Sequence, residues 1–124
     1  TVCRRPEIDE FARQTDPDLV GFCVDDGHAM AAGVDIIRLV KDYAKRIEYV
    51  HIKDLDPALS WRGRGLSWVP LGRGTLDLPG LFEALREIEF DGIVCAGLPA
   101  GCEEINHFES ARLSRLYLRN AQGL

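Results

Sequence analysis

A chain of 124 residues with 46% apolar and 28% charged side chains can bury one ordinary core and hardly two, and this composition excludes a disordered segment. The net charge is -5, and the short basic stretches, RGRG at 62–65 and KRIE at 45–48, stand isolated, which argues against a nucleic-acid partner. No apolar stretch is long enough to span a bilayer and no signal-peptide pattern is visible, so a cytoplasmic protein without a membrane partner is expected.

In chain order, Thr1-Val2-Cys3 reads as the tail of a strand. PEIDEFARQT (6–15) places Ile8, Phe11 and Ala12 on one side of a helix. LVGFCV (19–24) is short and apolar and predicts a strand. VDIIRLVKDYAKR (34–46) predicts a helix capped by Asp35, with Ile36, Leu39, Val40 and Tyr43 on its apolar face. IEYVHI (47–52) predicts a second strand. A long connection, 54–80, holds five glycines, three prolines and two tryptophans and is too long to be a plain turn. LPGLFEALREIEF (78–90) predicts a helix with Leu81, Leu85 and Ile88 on one stripe. GIVCAG (92–97) predicts a third strand. The last helix, 103–121, sets Ile105, Phe108, Leu113, Leu116 and Tyr117 against Arg112, Arg115 and Arg119. None of the three strand runs alternates cleanly, which predicts parallel strands covered on both faces in an α/β fold.

The four cysteines, Cys3, Cys23, Cys95 and Cys102, form no CxxC pair. Buried free thiols are expected; a disulfide framework is the less favoured alternative in a chain with a core of its own.

The chemistry gathers where apolar runs stop. In parallel α/β folds, active-site groups collect at the carboxyl ends of strands. VDDGH (24–28) puts Asp25 directly after the first run and His28 just past a glycine. YVHIKD (49–54) puts His51 near the end of the next strand, with Lys53 and Asp54 beyond. One strand–helix–strand step separates Asp25 from His51, so adjacent strands set them side by side. A carboxylate and an imidazole on one cavity suit a divalent ion such as Mn²⁺, Mg²⁺, Co²⁺ or Zn²⁺, or general acid–base work. Plainer readings stand beside this: Asp26 as a turn cap, His28 as a structural histidine, His51 as a satisfied core residue. In the long connection, Arg62, Arg64 and Arg73 are candidate phosphate contacts or solvated arginines. Trp61 and Trp68 are candidate walls of a sugar-sized pocket or plain anchors. The glycines there fit neither a dinucleotide fingerprint nor a P-loop. His107 lies in the last helix, away from any strand end.

Four blocks, GFCVDDGHAMAAGVD, YAKRIEYVHIKDLDP, LGRGTLDLPGLFEALREIEFDGIV and FESARLSRLYLR, resemble the carboxyl-terminal half of the sugar-phosphate isomerase/epimerase superfamily. These are the xylose-isomerase-like TIM barrels, and the likeness is nearest to inosose dehydratase and its relatives. The resemblance implies a partial barrel with parallel strands, a divalent metal at its mouth, and isomerisation, epimerisation or dehydration of a keto-sugar or inosose. It implies that Asp25 and His51 are metal ligands and that His28 meets the substrate hydroxyls. The family's last strand ends in a glutamate ligand, and that position falls on Gly97; Glu103 and Glu104 follow only after LPAGC. A barrel of this kind needs about 250 residues. The chain is therefore expected to be a fragment of a longer protein, or a half that pairs with a second copy or a complementary half-barrel. The rival expectation is a degenerate, non-catalytic barrel used for ligand binding or assembly. A phosphodiester-cleaving relative fits poorly, since it would want a basic cleft.

Overall fold

The computed structural model describes residues 4–60, 67–97 and 106–124, with nothing said of the side chains of residues 59 and 60. In chain order the elements are α1 (Arg5–Gln14), β1 (Phe22–Asp25), α2 (Asp26–Ala31), α3 (Ile36–Asp42), β2 (Ile47–Ile52), β3 (Asp54–Leu55), α4 (Pro57–Ser60), β4 (Trp68–Val69), α5 (Leu78–Glu87), β5 (Ile93–Ala96) and α6 (His107–Tyr117). A wider helical turn, Leu118–Gln122, continues α6. The expected strand at Thr1-Val2-Cys3 lies outside the described residues.

The three expected strands pair in parallel, in the order β1–β2–β5. Asp25 sits opposite His51, and His51 opposite Cys95. The described strands form an open sheet, part of a barrel wall and not a closed barrel. The local sequence explains the helix starts. Asp35, Asp77 and Asn106 each accept an N–H from the first turn of the following helix, at 3.0, 3.0 and 2.8 Å. Each side chain satisfies a donor that has no partner within the helix. Past the end of α2, Gly33 takes a φ of +78°, a turn that a β-carbon would strain.

One face of the sheet is covered. Phe22, Val24, Val50 and Ile52 pack with Ile36, Leu39 and Val40 around α3 and with Leu78, Leu81, Phe82 and Leu85 of α5. Val40, Val50 and Ile52 are fully shielded from solvent. Each such side chain stabilises the fold by about 1.5–3 kcal/mol. The other face is not covered as expected. Side chains alternate along a strand, and this face carries Cys23, Asp25, Tyr49, His51 and Cys95, all exposed or half-buried. The runs read as two-sided because cysteine and tyrosine break no apolar pattern. Cys23 and Cys95 are free thiols, as expected, but they are not buried: Cys23 is exposed and Cys95 intermediate. Cys3 and Cys102 lie outside the described residues.

α6 keeps its expected face only in part: Tyr117 packs against the core and Leu113 is half-buried. Its buried residues are Ser110 and Ser114, while Phe108 is 80% and Leu116 37% exposed. The helix approaches the chain closely through small side chains: Leu71 N–H donates to Ser114 Oγ at 3.2 Å.

α1 has no buried residue. Its expected face does meet the core, with Ile8 and Ala12 partly buried against it and Phe11 5.9 Å from Phe22 between ring centroids, and polar groups tie it down further. Arg5 pairs with Asp9 and Asp42, both at 2.6 Å, and the Tyr43 hydroxyl donates to Asp9 at 2.6 Å. The Arg46 guanidinium donates to Ala12 O at 3.3 Å, to Thr15 Oγ1 at 2.8 Å and to Val20 O at 2.8 and 3.0 Å.

Candidate active site

Strand β1 ends on Asp25, and the chain turns at once into α2. Asp25 makes that turn: its Oδ1 accepts the His28 N–H at 3.0 Å and caps the helix. The cap role considered for Asp26 therefore belongs to its neighbour. Its Oδ2 faces β2. There His51 Nδ1 lies 3.1 Å away and Lys53 Nζ 2.8 Å away. The register explains the meeting, since His51 is the direct neighbour of Asp25 and Lys53 follows two residues later on the same face. The Asp25 carboxyl is pulled two ways. Burial pushes its pKa up, but the Lys53 ammonium and the His28 N–H favour the charged form, and the net shift is downward.

Asp26 goes the other way. It is 1% exposed, and its Oδ1 accepts the Lys53 N–H at 2.8 Å, joining the end of β1 to the end of β2. Burial pushes its pKa up to about 7 against the pull of backbone N–H groups, with Asp25 and Asp54 adding to the rise.

The long connection folds back over this rim. β3 and β4 form a small antiparallel ribbon. Its anchor is Asp54, 2% exposed. One oxygen accepts from Gly72 and Gly74 N–H at 2.9 and 2.8 Å, the other from Leu55 and Leu76 N–H at 2.9 and 3.2 Å. The ribbon delivers Trp68. The His28 ring meets it edge-on at 5.3 Å between centroids, and Lys53 Nζ sits 5.1 Å from its centroid. Gly27 makes this possible, because a β-carbon there would stand 2.5 Å from the indole.

Gly97 closes the other side. Its N–H donates to Ile52 O at 2.7 Å, which extends the β2–β5 pairing by one bond. A β-carbon on Gly97 would stand 2.7 Å from His51 Nε2 and 2.9 Å from Lys53 Cγ. The position expected to hold a glutamate thus lies beside His51, and the lysine stem and the imidazole fill its space.

The three residues named from sequence are brought to one rim, with His28 exposed and Asp25 and His51 partly buried. Lys53 was missed as a partner of Asp25, although its spacing from His51 was a usable signal. Arg73 is exposed, and His107 is exposed at the start of α6. Trp61, Arg62, Arg64, Glu103 and Glu104 lie outside the described residues. Among the described residues, no three His, Cys, Asp or Glu side chains gather as a metal shell. A cavity of about 320 Å³ runs along β1 and touches Asp25 and His28, but Ile8, Phe11, Phe22 and Leu39 make its walls mostly apolar. That lining suits a polyol less well than the open rim does.

Residues 1–120 match the family described as xylose isomerase-like TIM barrel. The chain belongs to that family. Among curated relatives of this xylose isomerase-like barrel, the inosose dehydratase of Geobacillus kaustophilus (strain HTA426) is 32% identical, over 90% of this chain and 40% of that protein. Among solved structures, a sugar phosphate isomerase/epimerase from Parabacteroides distasonis ATCC 8503 superposes with a TM-score of 0.75 at 26% identity, covering 93% of this chain and 36% of that one. The IolI protein with a bound zinc atom superposes with a TM-score of 0.72 at 23% identity, covering 96% and 43%; at that identity the likeness shows the fold alone. The chain spans about two fifths of the length of the curated relatives it matches. No helix among the described residues is long and apolar enough to cross a membrane.

Proposed function

We propose that this chain carries part of the active site of a metal-dependent enzyme that isomerises, epimerises or dehydrates a small polyhydroxy ketone, a keto-sugar or an inosose. The observation that carries the reading is the 3.1 Å approach of Asp25 Oδ2 and His51 Nδ1 at neighbouring strand ends. Two atoms bound to one ion at ordinary metal–ligand lengths stand roughly 3.0–3.4 Å apart. The Lys53 ammonium, 2.8 Å from the same oxygen, supports a carboxylate placed to meet positive charge. Asp25 and His51 therefore fit as two ligands of a divalent ion of the Mn²⁺, Co²⁺, Mg²⁺ or Zn²⁺ class. When bound, such an ion supplies Lewis acidity toward a carbonyl oxygen and the adjacent hydroxyl.

The chain's own residues do the rest of what this half contributes. His28, exposed beside the rim, meets a substrate hydroxyl and holds or gives a proton there. Trp68 walls the rim and limits water on one side. Gly97 brings no carboxylate, so the base that takes the α-proton comes from elsewhere in the assembled protein. Among the described residues the outer edges of β1 and β5 have no partner strand, which suits the remainder of a barrel, supplied by a longer chain, a second copy or a complementary half. The free thiols of Cys23 and Cys95 suit a reducing compartment such as the cytoplasm. A second reading, a binding barrel without turnover, is favoured by Gly97 itself.

Saturation-transfer NMR with an inosose or ketose and Mg²⁺ tests the proposal. Binding to the 124-residue chain that disappears in Asp25→Asn is the expected result, and its absence at tens of millimolar ligand overturns the reading. Deuterium exchange at the α carbon then asks whether the base lies in this chain. The isolated chain is expected to stay at the metal-only background; exchange above it would place the base within this chain.

A further inference from the structure

We propose that Lys53 is a built-in competitor for the cation at Asp25: its ammonium holds the carboxylate until a divalent ion arrives, and must leave when one binds. This rests on the reading of Asp25 and His51 as ligands. Both oxygens of Asp25 are already engaged. Its Oδ1 is taken by the His28 N–H at 3.0 Å, and its Oδ2 is shared by His51 and Lys53. An ion bridging Oδ2 and Nδ1 meets a like charge already at hydrogen-bond distance from the same oxygen. The ammonium and the ion repel each other and cannot both hold that oxygen.

Two further observations make the lysine part of the site's construction. The first is Gly97. A β-carbon there would lie 2.9 Å from Lys53 Cγ and 3.0 Å from Cε. The missing side chain is what lets the lysine stem lie across the sheet toward Asp25. The bare backbone at residue 97 and the lysine on Asp25 are thus sterically linked. The second is Trp68. Lys53 Nζ already lies 5.1 Å from the indole centroid, within the range of a cation–π contact. That contact coexists with the Asp25 ion pair, so an ammonium that leaves the carboxylate starts from the indole face and not from open solvent.

The chain has three histidines, so its histidine ring resonances form a three-signal spectrum in which His107, at the start of α6, serves as the internal control. Co²⁺ is titrated into the chain while the His51 signal is followed. Lys53→Met keeps the stem on Gly97 and removes the charge; Lys53→Gln does so with a polar end. The expected result is a Co²⁺ affinity at His51 about tenfold higher in both variants, the size expected for removing one partly buried ion pair. Asp25→Asn is expected to abolish the response with Lys53 intact or replaced. Thermal unfolding of the variants confirms that they fold. Unchanged affinity in both lysine variants, with the chain itself still binding, overturns the competition and leaves the ligand reading standing. No shift at His51 in the chain or in either variant overturns both.

Discussion

Asp54 and Asp25 stand at the ends of neighbouring stretches of chain, yet they are held in opposite ways. Asp54 is sealed by four backbone N–H groups from three points of one loop. Asp25 keeps one N–H and gives its outer oxygen to two side chains, His51 and Lys53. Amides fixed in a folded loop cannot be exchanged without refolding it, whereas a lysine can turn away at the cost of one ion pair. The first carboxylate is architecture. The second is a place where partners can change.

The largest test of this contrast is Asp54→Ala. It leaves four N–H groups without their acceptor around a buried position, and the expected loss is about 5 kcal/mol by urea unfolding. A loss below about 1 kcal/mol would break the comparison. Asp26 sharpens it, since it is buried like Asp54 but bonded less completely. Burial raises its folded pKa from an ordinary 3.8 to about 7. The folded protein therefore keeps a proton that the unfolded chain releases as pH rises above about 4. Stability falls through that window and levels off above pH 7, by an upper limit of about 4 kcal/mol. Asp26→Asn is expected to remove the fall, so its melting temperature should gain on that of the unmodified chain between pH 4 and pH 8; parallel curves would count against a raised pKa. The smallest effect belongs to Asp25→Asn. With a partly exposed ion pair and a cap that asparagine also provides, its stability should stay within about 1 kcal/mol of the original. A large loss would make Asp25 architectural after all.

The rim was legible where it depended on strand ends. An apolar run stopping at Asp25 and another reaching His51 were enough to set the two side by side, because parallel register follows from one strand–helix–strand step. The residues around them were hidden for identifiable reasons. DGHAMA is too short and too glycine-interrupted for a helical period to show, and α2 exists through its Asp25 cap and the indole packed on Gly27. Lys53 could be assigned to the right face by spacing, but the path of its stem depends on a glycine more than forty residues away. The face of α6 is legible only in part: Tyr117 packs on the core as its apolar stripe suggests, but the closest approach is made by Ser110 and Ser114, which carry no apolar signal. The expectation of strands covered on both sides failed because cysteine and tyrosine are as apolar in a sequence window as valine.

The way α1 is attached has a consequence for how the molecule comes apart. Most elements are held by area removed from water, which salt strengthens or leaves alone. α1 buries no residue fully: Ile8 and Ala12 rest only partly buried on the core, and much of its hold comes from Arg5, Tyr43 and Arg46. Partly exposed charge pairs weaken as ions screen them. Rising ionic strength should then peel the amino-terminal helix away while the α3–α5 layer stays closed over the sheet, so that backbone amides of residues 5–14 exchange with solvent through a local opening well below the cost of global unfolding.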